Sequence, residues 1–424
     1  MRLLTTALLW GVVVPSVLGV PAIAHASTPA TQESAGVSAV AQAALRSAPA
    51  ALDALATLPA DGIGAFLEKD GPALLDRLST PSAIDQVASW WSTLQAPERS
   101  RLERKASPLV GNLDGVPFAV RAQVNETRLR ARIEAVQRAA SHTFGVAALG
   151  AVSDLAALRA VSEALRTPDG GPARSLITFQ TSGSMLAAIA IGDVDSATDV
   201  SILVPGMLYT VQGQLVSWTS VAADLYTAQS AALQRIGATG RSVATVAWLG
   251  YHTPDILGAL SLNAARQGAD RLESVLSGLR AVRAEDQPFI SVIAHSYGST
   301  AALLALQRGA VSVDALALLG SPGGEVASAH SLDVNGGNVY VGAARFDPVA
   351  ICGFFGSNPD DPAFGAHRMP LGGGVDPLDG EPLLPVTGHN GYFVPGSQSM
   401  LNLALIGIGR GSLAMTDARA ESVR

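Results

Sequence analysis

The chain has 424 residues, of which 48% are hydrophobic and 15% charged, and its formal net charge is −7. This composition supports a buried core and argues against a disordered chain, and the length exceeds what one small core needs. The negative balance provides no basic surface for nucleic acid, so we expect no nucleic-acid partner.

The first residues have the pattern of a secretory signal peptide, which we assign to residues 1–26. Arg2 supplies the positive start, residues 3–20 are mostly apolar, and small residues ending at Ala26 form a cleavage site. An uncleaved membrane anchor is the alternative, but Pro15 and Pro21 favour cleavage. We therefore expect an exported protein, either secreted or associated with the cell envelope. The oligomeric state stays open.

Residues 35–166 show helical periodicity. Thr80 followed by Pro81 is typical of a helix start, and apolar residues then recur at helical spacing from Ile84 to Trp91. The same spacing continues through the Arg-rich stretch and the segment after it. We predict an α-helical N-terminal segment, which is either a cap over a site or a separate docking module.

From residue 175 to 412, short apolar runs rich in β-branched residues alternate with helical patterns. The runs are "SLITFQ", "MLAAIAIGD", "VSILVPGM", "VATVAWLGY", "FISVIAHS", "DALALLGSP" and "NVYVGAARFDP". Continuous apolar strands separated by helices predict the α/β class, with a mostly parallel sheet covered by helices on both faces. Helices are expected at about Trp218–Ile236, Ala264–Arg280 and Ser399–Ile408, and one should end at Gly309. Ligands of such sheets bind at the carboxyl ends of the strands.

Ser296 stands between an apolar run and a helical pattern, in the stretch "FISVIAHSYGSTAALLAL". A nucleophilic serine needs this strand–turn–helix context, with small residues where the strand and the helix cross. Ala294 and Gly298 occupy those flanking positions. We predict that Ser296 is a nucleophile, and an ordinary turn serine is the alternative.

A serine nucleophile of this type is followed along the chain by an acid and then by a histidine. Asp347 ends the run "NVYVGAARFDP", which places a carboxylate at the carboxyl edge of the sheet, and His389 comes after a later short apolar run that precedes the last helix. His330 precedes the acid, and His367 lies in a loop rich in Gly and Pro. We predict that Ser296 is activated by His389 and that Asp347 orients the histidine. A turn aspartate and a loop histidine are the ordinary alternatives.

Acyl transfer also needs N–H donors for the developing oxyanion. The backbone N–H of Tyr297, directly after the nucleophile, is one candidate. The second candidate is the N–H of Met207, which follows Gly206 in "ILVPGML" after an earlier strand. A simple Pro-Gly turn is the alternative for this segment.

The stretch Ile351–Pro385 is rich in Gly, Pro and Phe, and we interpret it as a long loop without regular structure, of the kind that often serves as a lid or a substrate-binding loop. Its aspartates have no calcium-loop spacing, so we interpret them as turn residues: Asp360, Asp361, Asp376 and Asp379. The single cysteine, Cys352, can form neither an internal disulfide nor a thiolate cluster. No metal or cofactor motif is present, and we expect neither a metal nor a cofactor.

Several segments together resemble a secreted α/β-hydrolase family of actinobacteria that carries a domain of unknown function. They are "AHSYGST", "ARFDPVA" and the late "H…YF", with "WWSTL" and "GNLDGVPFAVR" in the helical segment. The likeness covers roughly residues 85–410. It implies an α/β-hydrolase fold preceded by helices, with Ser296, Asp347 and His389 as the triad, but it names no substrate.

These patterns predict an exported serine hydrolase that acts on a small-molecule or lipid-like acyl substrate. A carboxylic ester is the expected substrate, as in an esterase or lipase. An amidase or peptidase would use the same triad, since both reactions pass through an acyl-enzyme. A non-catalytic envelope-binding protein on a hydrolase scaffold is the alternative from another class.

Overall fold

The structure is a computed structural model that describes residues 47–57, 60–140 and 146–415. The signal peptide predicted for residues 1–26 lies outside the described residues. Within the part that is described, no helix has both the length and the apolarity needed to cross a bilayer.

The described part of the N-terminal segment is helical, as its periodicity predicts. Thr80 precedes the third helix, and Pro81 occupies its first turn, where a missing N–H costs nothing. The helices of this segment are α1 Ala48–Thr57, α2 Ala60–Leu78, α3 Pro81–Thr93, α4 Ala96–Lys105, α5 Ser107–Val110, α6 Phe118–Ala140 and α7 Val146–Ala164.

An eight-stranded sheet forms the centre of the remaining chain. Its strands are β1 Arg174–Gln180, β2 Leu186–Ile191, β3 Asp199–Val204, β4 Val243–Leu249, β5 Phe289–His295, β6 Ala315–Leu319, β7 Val339–Gly342 and β8 His367–Arg368. Their order across the sheet is β1-β2-β4-β3-β5-β6-β7-β8, and β2 alone runs antiparallel to its neighbours. β2, β3 and β4 are buried along their whole length, because both faces of the sheet are covered.

Helices cover the two faces of this sheet and confirm the predicted α/β class. Two of them, α9 Asn263–Val282 and α10 Tyr297–Leu306, pack on one face. The other face packs against α6, α7, α8 Val211–Arg235 and α11 Gln398–Gly407, with the short α12 Gly411–Ala414 after it. α8 starts earlier than the predicted Trp218, because Thr210 caps it by accepting a hydrogen bond from the Gly213 N–H.

The N-terminal segment is joined to the sheet along the free edge of β1. The Asn112 amide donates to the Phe179 carbonyl and accepts from the Phe179 N–H, at 2.9 and 2.8 Å. Asn125 donates to the Leu176 carbonyl at 3.1 Å. These amides satisfy backbone groups that an open edge strand would leave unpaired. The segment is therefore joined to the β1 edge through these amides and to one face of the sheet through α6 and α7.

The strand register brings two loops together at the carboxyl edge. Val204, the last residue of β3, pairs with Ala294 in the neighbouring parallel strand β5. The loop that begins at Pro205 and the turn at Ser296 therefore leave the sheet side by side.

An ion pair at the start of β3 joins the buried Asp199 to the partly buried Arg241, and it gives a stability prediction. Asp199 is fully buried and accepts from both the Nε and a terminal nitrogen of Arg241, and from the Thr198 hydroxyl. Asp199→Ala should lower the free energy of unfolding by about 3 kcal/mol or more, because it leaves the guanidinium of Arg241 without its carboxylate partner. Urea unfolding at pH 7 measures this change.

The matched control is Glu163→Ala, which removes an exposed pair with Arg166. It should change the free energy of unfolding by less than about 0.5 kcal/mol. Equal losses in the two variants would contradict a structural role for the Asp199 pair.

Candidate active site

Ser296 occupies a sharp turn between β5 and α10. Its φ of 53° lies in the left-handed region, which a non-glycine residue adopts at a cost. The turn is held by the Ser296 N–H, which donates to the Leu319 carbonyl at 2.8 Å, and by the Ser299 N–H, which donates to the Ser296 carbonyl at 2.9 Å. A Cβ on Gly298 would lie 2.3 Å from the Pro205 carbonyl oxygen, so only glycine fits there. The local sequence thus produces an elbow that presents a serine hydroxyl at the strand end.

The three side chains that the sequence analysis grouped as a triad, Ser296, His389 and Asp347, lie in hydrogen-bond contact. The Ser296 Oγ is 2.8 Å from the Nε2 of His389. The Nδ1 of His389 is 2.9 and 3.1 Å from the two carboxylate oxygens of Asp347. The two other histidines considered from the sequence lie elsewhere. His367 is in β8 beside the Tyr340 ring, and His330 is in a short 3-10 turn.

Asp347 is held as a charged acceptor. Burial alone would raise the pKa of its carboxyl group, but hydrogen bonds from Tyr392 and His389 outweigh that effect and lower the pKa. The Tyr392 hydroxyl donates to Asp347 at 2.6 Å and accepts from the Ala344 N–H at 2.9 Å. The Val349 N–H donates to the other oxygen at 2.9 Å. These donors fix the carboxylate on the far side of the imidazole from the serine.

His295 and Tyr392 are site residues to which the sequence analysis assigned no role. The Nε2 of His295 is 2.8 Å from the His389 carbonyl oxygen, and the two rings are 4.7 Å apart. Since a carbonyl only accepts, Nε2 must carry the proton, and the buried Nδ1 of His295 has no partner in the described residues. Burial first, and then the nearby His389, lower the pKa of His295 to about 4. His295 is thus a neutral support that positions His389.

The two predicted oxyanion donors lie on either side of the elbow. Tyr297 is the first residue of α10, so its N–H has no acceptor within the helix. A Cβ on Gly206 would lie 2.8 Å from the Ser296 Cβ, which shows how closely the β3 loop approaches. The loop is held by the Leu208 N–H, which donates to the Pro254 carbonyl at 2.9 Å. Within the described residues, the Met207 N–H makes no hydrogen bond, so it is available to a ligand.

The stretch Ile351–Pro385 is more ordered than expected, and the prediction that it lacks regular structure is wrong. It contains a 3-10 turn at Pro362–Phe364, the sheet strand β8, and a hairpin of β9 Gly374–Val375 and β10 Pro382–Leu383. Phe364 is buried, whereas Phe354 is exposed. Strands of two residues are too short to give a periodic signal. The first part of the stretch lies close to the elbow, since the Phe355 ring packs against the Tyr297 ring at 5.6 Å.

The aspartates of this stretch form ion pairs and turns. Asp376 and Asp379 both pair with Arg235, at 2.8 and 3.0 Å, and Asp360 pairs with Arg368 at 2.8 Å. No group of three or more His, Cys, Asp or Glu side chains in the described part of the chain is arranged to hold a metal ion.

Comparisons with known proteins agree with this architecture. A family model described as an alpha/beta hydrolase matches residues 180–355. An uncharacterized protein of Mycobacterium bovis is 35% identical over 214 residues, which cover 49% of this chain and 80% of that protein. The chain belongs to the alpha/beta-hydrolase family.

Other similarities are more distant. An uncharacterized protein of Mycobacterium tuberculosis is 27% identical over 439 residues, which cover 87% of this alpha/beta hydrolase and 64% of the relative. The chain therefore spans less than two thirds of that relative's length. Among solved structures, a fungal esterase from Rhizomucor miehei is 11% identical, with 66% of this chain and 96% of that chain covered and a TM-score of 0.35. That likeness is too weak to bear on function.

The burial of His295 predicts a pH dependence of stability. Between pH 6.5, the ordinary pKa of histidine, and about 4, the unfolded chain binds a proton at residue 295 that the folded chain does not. The unfolding free energy should therefore fall as the pH falls through this window, with a contribution of roughly 3 kcal/mol from His295. Urea unfolding at pH 7 and at pH 4.5 measures the difference.

His295→Gln is the comparison variant, because its amide nitrogen can still donate to the His389 carbonyl but does not titrate. The drop in stability between the two pH values should be clearly smaller in this variant. An identical drop in the variant and the parent would refute a buried neutral His295.

Proposed function

We propose that this alpha/beta hydrolase is a serine hydrolase that cleaves carboxylic esters through an acyl-enzyme. One observation carries the proposal: the Ser296 hydroxyl lies 2.8 Å from His389, whose other nitrogen contacts Asp347. A serine hydroxyl becomes a useful nucleophile when an adjacent imidazole takes its proton and a carboxylate stabilises the imidazolium.

The reaction would proceed in two half-steps. The Ser296 Oγ attacks the acyl carbon while its proton passes to the Nε2 of His389, and the carbonyl oxygen becomes an oxyanion. The N–H groups of Tyr297 and Met207 then donate to that oxyanion. His389 returns the proton to the leaving alcohol, which frees the acyl-enzyme. Water, deprotonated by His389, attacks the acyl carbon and releases the acid and the free serine.

Leaving-group chemistry and an apolar contact beside Ser296 support an acyl ester as the substrate. An alcohol is a better leaving group than an amine, so an ester makes smaller demands on proton delivery. The Phe355 ring packs edge-on against the Tyr297 ring at 5.6 Å, and Phe354 packs against Phe355 at 4.8 Å. These rings offer an acyl chain an apolar surface beside the nucleophile. A series of p-nitrophenyl esters, run beside peptide p-nitroanilides, distinguishes the two substrate classes.

A fluorophosphonate probe tests the nucleophile directly. The probe should label the protein at Ser296, as identified by mass spectrometry of the modified peptide. Ser296→Ala and His389→Ala should each lower the kcat for p-nitrophenyl butyrate by about 10⁴-fold or more, because triad members act as a unit.

His367→Ala is the control, since it removes a histidine that lies in β8 beside Tyr340, away from Ser296. It should keep labelling and hydrolysis within about twofold of the parent, well below the triad effects. A folded parent protein that the probe leaves unlabelled would instead favour the non-catalytic binding protein.

We also propose that the chain is exported and that its signal peptide is removed near Ala26. This rests on the residue pattern of the N-terminus. In an actinobacterial host, N-terminal sequencing of the protein from the culture medium and the cell envelope should begin near Ser27. A protein found only inside the cell with Met1 or Arg2 at its start would refute export.

A further inference from the structure

Large hydrophobic side chains are exposed around the serine site. They follow three strands at the carboxyl edge of the sheet, and each is 49 to 77% exposed. We call them the apolar rim: Leu208, Ile256, Leu257, Phe346, Ile351 and Phe354. They are six of the thirteen large hydrophobic side chains that stand out as exposed in the described residues. A cluster of this kind is typical of a surface that contacts another apolar phase.

Contacts connect the rim loops to the catalytic groups. Leu208 comes directly after Met207, and its N–H binds the Pro254 carbonyl, two residues before Ile256. Phe346 precedes Asp347 along the chain. Phe354 contacts Phe355, which packs on the residue after Ser296. The rim residues therefore lie in loops that adjoin Ser296, the Met207 N–H and Asp347.

The backbone supports the exposure of two rim residues. In the described residues, the non-glycine positions with positive φ are Leu208, Ser296 and Phe346. A positive φ is strained for a residue with a Cβ, and such strain persists where the surroundings enforce it, often at functional sites. Leu208 and Phe346 are both exposed, so a strained backbone and an exposed apolar side chain coincide at two positions, directly after Met207 and directly before Asp347.

The loops that carry the rim have almost no charge. Apart from Asp347, residues 205–210, 250–262 and 343–358 contain one aspartate, Asp255, and one arginine, Arg345. The Arg345 guanidinium lies over the Phe346 ring, 4.7 Å from its centre. A surface without net charge matches an uncharged or zwitterionic partner, and it has no basic cluster with which to attract anionic lipid.

We propose that the apolar rim inserts into the surface of a neutral or zwitterionic lipid aggregate, which presents an acyl ester to Ser296. This inference rests on the proposed function and names its substrate class. A protein docked on the rim would cover the nucleophile, whereas a lipid surface supplies both the apolar phase and the ester. Insertion removes the rim side chains from water, and the hydrophobic effect provides the driving force.

Cys352 offers a local probe of this insertion. It is the sole cysteine of the sequence, it is exposed, and it lies between Ile351 and Phe354 of the rim. The full chain carrying Ser296→Ala is labelled at Cys352 with a nitrobenzoxadiazole fluorophore and titrated with phosphatidylcholine vesicles. We expect a blue shift and a brighter emission that brominated lipids quench. A chain held to the vesicle only by its N-terminus would not give this local signal.

The rim variant is Ile256→Ser with Leu257→Ser. Each change removes a large side chain from the inserted surface, so half-maximal shift should require at least about tenfold more lipid. The matched control is Leu149→Ser with Val152→Ser, which removes two equally exposed apolar side chains from α7. The lipid concentration that gives the half-maximal shift should stay within about twofold of the parent's value in this control, because its exposed side chains lie outside the rim. Thermal unfolding of each variant checks that the fold is kept.

Three results would overturn the inference. The first is that lipid causes no shift in the emission. The second is that the rim variant and the parent require the same amount of lipid. The third is a shift that appears without lipid, through self-association, and that the rim variant abolishes. The last result would assign the rim to contact with a second copy. Because the assay uses Ser296→Ala, a failure here leaves the hydrolase proposal standing. An unlabelled serine in the probe assay would instead remove the acyl ester from this inference and leave only the insertion of the rim into lipid.

Discussion

The backbone of the β3 loop touches the β5 elbow, and the geometry of the site depends on this contact. Two glycines permit it, because a Cβ on Gly298 would meet the Pro205 carbonyl and a Cβ on Gly206 would meet Ser296. A side chain at either position would push the loop away and move the Met207 N–H away from Ser296. Since β3 and β5 are adjacent parallel strands in register, the order of the strands also decides which loop reaches the serine.

Much of this arrangement could be predicted from the sequence, because parallel strands deliver their carboxyl ends to one edge. The alternation of apolar runs and helical patterns gave the sheet, and the polar step at Ser296 marked a strand end. Chain order then selected His389 over His330. Asp347 was expected where the run "NVYVGAARFDP" ends and His389 after a later short apolar run, and in the structure the three side chains lie in contact.

Other parts of the site gave no signal that periodicity can detect. His295 contacts the carbonyl of His389, 94 residues away along the chain, and Tyr392 contacts Asp347, 45 residues away. A pattern of apolar residues reports burial, and it does not report which polar atom a buried ring contacts. The stretch Ile351–Pro385 was misjudged for a related reason, because its strands are two residues long and pair only through tertiary contacts.

The protonation of two neighbouring imidazoles connects the fold to the proposed chemistry. During acyl transfer His389 would carry a positive charge, 4.7 Å from the ring of His295. Two cations at that distance in a buried site would repel strongly. Burial prevents this, because the lowered pKa of His295 keeps its ring neutral while its Nε2 proton holds the His389 carbonyl. Asp347, whose pKa the Tyr392 hydrogen bond helps to lower, would then be the charge that stabilises the imidazolium of the proposed reaction.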